Sequence, residues 1–124
     1  MKGKGKLLLE KILGRLISSV DGAQAAIFLD NDGEAIAQSG ECAVDVKLVG
    51  AWKELHLDHI KEITGRLGLG TVHAVLFSQD EGNELIAPVL EDYCLLLLLS
   101  PYANLHAAMA GLRTAIAELS VEIS

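Results

Sequence analysis

Apolar positions along the chain recur in two rhythms. Leu9, Ile12, Leu13, Leu16, Ile17 and Val20 return every three or four residues, which predicts an amphipathic helix from about Lys4 to Val20. Asp21-Gly22 stops it. Gln24–Leu29 reads as a first strand and Glu34–Ser39 as a second. Asp30-Asn31-Asp32-Gly33 between them reads as a hairpin turn, with Gly33 supplying a positive φ. The longest pattern runs from about Ala43 to Leu67. Its apolar positions Val44, Leu48, Val49, Trp52, Leu55, Ile60, Ile63 and Leu67 cover close to half of a helical circumference. A helix resting on one sheet needs an arc of about 100°. The surplus predicts that this helix meets its own sheet and something else.

Gly65, Gly68 and Gly70 end that helix. Strand three is Thr71–Ser78, Gln79–Asn83 is a turn, and strand four is Glu84–Leu90. Glu91-Asp92 is a tight turn into strand five, Tyr93–Ser100, which is apolar on both faces and so belongs in the middle of a covered sheet. Pro88 cannot donate a ladder hydrogen bond, which predicts a bulge or break in strand four. Ser100-Pro101 interrupts the chain, and a third helix runs from an Asn104 N-cap to Ser120 on Leu105, Ala108, Met109, Leu112, Ala115, Ile116 and Leu119. The order α-β-β-α-β-β-β-α, with successive hairpins, predicts a three-layer α/β/α sandwich of the α+β class around a five-stranded antiparallel sheet.

Composition narrows the class. The 124 residues make one domain, with residues 1–5 a frayed start. Apolar residues are 51% of the chain and mean hydropathy is +0.37. The longest apolar runs, Cys94 to Leu99 and Gln24 to Leu29, fall far short of the ~20 residues of a membrane span. High apolar content without a span again suggests a partner. The net charge of −7 argues against general nucleic-acid binding, which requires a cationic face. The charge is segregated: residues 1–15 carry five basic residues against Glu10, whereas the rest carries 5 basic and 16 acidic residues. Glu10, Lys11 and Arg15 interrupt the apolar stretch, unlike a signal peptide. Two cysteines make no disulfide framework. Cys94 reads as a core thiol, and cytoplasmic residence is the default.

The hairpin Asp21-Gly22-Ala23-Gln24-Ala25-Ala26-Ile27-Phe28-Leu29-Asp30 with Asp32-Gly33-Glu34-Ala35-Ile36-Ala37-Gln38-Ser39-Gly40 resembles the first hairpin of the roadblock family. This is the dynein light chain and bacterial GTPase-regulator group. The ending Tyr93–Leu99, then Asn104-Leu105 and a helix with Leu112-Arg113, is similar to that family's last strand and helix. The resemblance covers residues 6 to 120 and implies a roadblock-like fold, related to profilin. It also implies homo- or heterodimers in which the second helix and third strand meet their counterparts in a continuous ten-stranded sheet. Family members bind Ras-like small GTPases or link subunits of motor and signalling complexes, with no catalytic motif of their own. On this reading the self-interface is Leu48, Trp52, Leu55, His59, Ile63, Val72 and Val75. The partner is a second copy or another roadblock chain, together with a Ras-like GTPase, and no cofactor is implied. The GTPase-binding face is not legible.

Other constellations carry less. His56 and His59 have an i, i+3 metal-like spacing, but Asp58 between them points to the opposite side and no further ligand pair is in sight. Both fall inside the apolar arc and read as packed or interface histidines. If they lie at an interface, protonation near pH 6 would weaken it. His73 and His106 are distant in sequence. Lys2-Gly3-Lys4-Gly5-Lys6 lacks the spacing of a phosphate loop. Arg15, Arg66 and Arg113 are the arginines that an in-trans finger would need, and nothing marks one of them. Cys42 lies in a loop without a neighbouring base. The alternatives are a pure scaffold subunit, or a small-molecule sensor on the same kind of sheet.

Overall fold

The computed structural model describes the backbone of residues 3–41 and 46–124, and the side chains of residues 5–41 and 55–124. The elements are α1 (Gly3–Ser19), β1 (Ala23–Asp30), β2 (Ala35–Gly40), α2 (Val46–Arg66), β3 (Val75–Gln79), β4 (Gly82–Val89), β5 (Tyr93–Leu99) and α3 (Leu105–Ile123). All strand pairs are antiparallel, in the five-stranded order β2-β1-β5-β4-β3. The expected order and sheet are both present. The start expected for the second helix, near Ala43, lies outside the described residues.

Alternation along the strands splits the core into two layers. Ala26 and Phe28 of β1, Leu85, Ala87 and Val89 of β4, and Leu95, Leu97 and Leu99 of β5 face α1 and α3. Leu9, Ile12, Leu13 and Leu16 of α1 and Ala108, Leu112, Ala115 and Leu119 of α3 cover them. Ala25, Ile27 and Leu29 of β1, Ile86 of β4, and Cys94, Leu96 and Leu98 of β5 face the other way, under Leu57 of α2. β5 is thus buried on both faces, as its unbroken apolar run predicts. Full burial of a leucine contributes about 1.5–3 kcal/mol, so its six apolar residues anchor both layers at once. The Phe28 and Tyr93 rings stack at 5.3 Å across the β1–β5 pairing.

Five local expectations change. Strand four is neither bulged nor broken at Pro88: β4 continues to Val89, with Pro88 opposite Cys94 of β5. The interruption falls on the neighbouring strand. The β3–β4 ladder ends at Val75–Ile86, so residues 71–74, expected as strand, lie outside it. Pro88 has no N–H to offer on that side. The turn expected over Gln79–Asn83 tightens to Asp80-Glu81, because Gln79 already pairs with Gly82. The β4–β5 turn widens to include Leu90, which adopts φ +53°. The N-cap is as expected: Asn104 Oδ1 accepts from the Ala107 N–H at 3.0 Å. The helix it starts runs past Ser120 to Ile123, whose side chain packs on the core.

Candidate functional site

Among the described residues α2 is the one helix on its face of the sheet, and one side of it is covered from within. Leu57 is that side, 2% exposed. Successive residues turn by about 100°, which carries Leu55, His59 and Ile63 round to the side away from the sheet. Leu55 is 65% exposed and Ile63 43% exposed, and His59 is exposed between them. The wide apolar arc of the sequence is therefore real in its described half: one part packs inward and one part faces outward. The side chains of Leu48 and Trp52, expected in the same interface, lie outside the described residues, as does Cys42.

The strip continues beyond the helix. Leu67 and Leu69, in the Leu-Gly-Leu-Gly stretch after α2, are 66% and 69% exposed. Sequence reasoning placed Leu67 in the arc but missed Leu69. Its signal was a leucine isolated between Gly68 and Gly70, where the chain turns out of the helix with positive φ at both glycines. Beside the strip lies the sheet edge. Among the described residues β3 pairs with β4 alone, which leaves its outer backbone edge without a strand partner there. Val72 and Val75, expected in the interface, are half-buried and pack with Phe77 on the α2-side core. His56 lies with its ring 5.7 Å from that of Phe77, tying α2 to the edge strand. Leu76 points to the opposite face and is 44% exposed.

The arginines are sorted by their partners. Arg15 pairs with Glu118 across α1 and α3, on the far side of the sheet from α2. Arg66 pairs with Glu62 one turn earlier on α2, at 2.8 Å. Arg113 on α3 is exposed and, among the described residues, has no ion pair. It borders a cleft of about 580 Å³ between α3 and residues 71–74, with His73, Leu90, Met109 and Ile116. A second cleft, of about 460 Å³, follows the α1–α3 seam over Leu16 and Gly111. Among the described residues no three His, Cys, Asp or Glu side chains are grouped to hold a metal ion, and no helix is long and apolar enough to cross a membrane.

No family model matches the sequence, and no curated protein matches it. Solved structures do match in fold. A roadblock/LC7 domain from Streptomyces avermitilis aligns with a TM-score of 0.82 at 16% identity, covering 89% of this chain and 92% of that one. MglB, solved with a tetrameric arrangement, aligns with a TM-score of 0.88 at 13% identity, covering 98% and 92%. MglC from Myxococcus xanthus aligns with a TM-score of 0.67 at 24% identity, covering 94% and 99%. The chain therefore has the roadblock fold, as the hairpin and the last strand and helix imply.

Proposed function

We propose that this chain is a non-enzymatic roadblock-type adaptor. It pairs with a second copy through α2 and the edge of β3, and the pair binds a Ras-like small GTPase. One observation carries the pairing: an exposed apolar strip, Leu55, Ile63 and Leu67, runs beside an unpaired strand edge. Apolar surface and open edge are each a liability on a free chain, and one partner of the same shape covers both. The tetrameric arrangement of MglB supports self-assembly on this fold. The GTPase partner rests on the resemblance of hairpin and ending to the roadblock family.

If the pair stimulates hydrolysis by inserting an arginine, Arg113 is the candidate. Arg15 and Arg66 are already held by Glu118 and Glu62, whereas a finger must be free to reach phosphate oxygens. The test is binding and single-turnover hydrolysis with a Ras-like GTPase of the same genome, loaded with GTP and then with GDP. Tighter binding of the GTP form with faster hydrolysis is the expected result. If Arg113→Ala then leaves the acceleration intact, the pair acts by repositioning the GTPase's own residues. Binding without acceleration establishes the scaffold reading. Absence of binding to every such GTPase overturns the proposed partner.

A further inference from the structure

We infer that association through α2 is proton-sensitive and that His59 is the group that takes the proton. The inference rests on the self-pairing proposed above. His59 stands one turn from Leu55 and one turn from Ile63, on the side of α2 turned away from the sheet. A second copy that covers those two residues also covers the imidazole between them. Neutral imidazole tolerates such a place, but imidazolium there loses its water and requires a counter-charge.

Among the described residues, the surroundings offer His59 little compensation. On α2, Glu62 is already engaged by Arg66 at 2.8 Å. Asp58 sits about 100° away round the helix, and Lys61 has the wrong sign. β3, the neighbouring edge strand, carries no charged residue. Asp80 and Glu81 lie beyond its end in the turn. Glu84 of β4 shares the α2-side face as the cross-strand neighbour of Phe77, whose ring lies 5.7 Å from that of His56.

The sign follows from which state binds the proton. In the separated chain the imidazole faces water and in the pair it is covered, so protonation favours separation and association weakens as pH falls from 7.5 to 5.5. General electrostatics run the opposite way. Each chain carries −7, so acidification reduces the repulsion between copies. Weakening at low pH therefore needs a specific group.

The experiment is sedimentation at pH 7.5 and 5.5 at one ionic strength, on the wild type and His59→Gln, with far-UV circular dichroism of the same samples. With one proton per copy excluded from the pair, the wild-type dissociation constant is expected to rise about 100-fold over that interval. His59→Gln is expected to change less than about 10-fold. A wild-type constant that stays flat overturns the inference and leaves the self-pairing intact. So does a variant that follows the wild type, or a loss of pairing that accompanies unfolding. A chain that is monomeric at pH 7.5 at 100 μM overturns the self-pairing, and this inference with it.

Discussion

Gly40 closes the first hairpin in a place that a side chain cannot enter. Its φ is +85°, and a Cβ there would lie 2.2 Å from the Gln24 carbonyl oxygen and 2.9 Å from Ala25 Cα. Both neighbours are backbone of a central strand and cannot step aside cheaply. Gly40→Ala is expected to destabilise the chain by at least about 2 kcal/mol, read as a lower urea midpoint. An unchanged midpoint would mean that β2 can shift away from β1. The Ser39-Gly40 pair was visible in the sequence as part of the roadblock-like hairpin, but only the register shows why it ends there. Asp30 was legible more directly. Its carboxylate accepts from the Asp32 and Glu34 N–H groups at 2.9 and 3.0 Å, the local bonding that makes Asp a turn former. Leu90 was not legible. Leucine carries no signal for a left-handed φ, and that conformation is imposed by strands on either side of it.

At the scale of elements, the helices were readable because their periodicity is local. α1 and α3 bury the stripes that the spacing marks, and the Asn104 cap is set by its own next three residues. β3 was misread in length because its limit comes from another strand. Nothing in Thr71–Ala74 opposes an extended chain; the missing donor belongs to Pro88 of β4, across the ladder. α2 was readable as a helix with two apolar sides, although the spacing alone does not say what would cover the outer one. That side is testable by itself. Leu55→Asp with Ile63→Asp alters two exposed positions, so the stability of the separate chain is expected to change by less than about 1 kcal/mol. The dissociation constant of the pair is expected to rise at least 100-fold in sedimentation. Unaltered association would move the interface off α2.

For the whole molecule, the apolar runs and turn signals were enough to place β5 in the middle and to order the layers, because a strand that is apolar on both faces has no other stable position. The sheet then predicts a gradient of protection. Amides of β1 and β5, paired on both sides and buried, are expected to exchange with solvent more slowly than those of β2 and β3 by several orders of magnitude. Equal rates across the sheet, measured by hydrogen–deuterium exchange, would contradict this layering. The partner was the least legible part, since a face built of leucines does not record what chemistry would cover it. The two free edges differ, and the difference fixes how far assembly can run. β2 ends in Gln38, Ser39 and Gly40, polar or small, whereas β3 lies beside the outward leucines of α2 and its following loop. Joining β3 edge to β3 edge, as proposed, would cover both leucine-flanked borders at once and leave the β2 edges outward. On the proposed pairing such a sheet would close at two copies instead of growing into a ribbon, so the asymmetry that favours a pair would also stop it from polymerising.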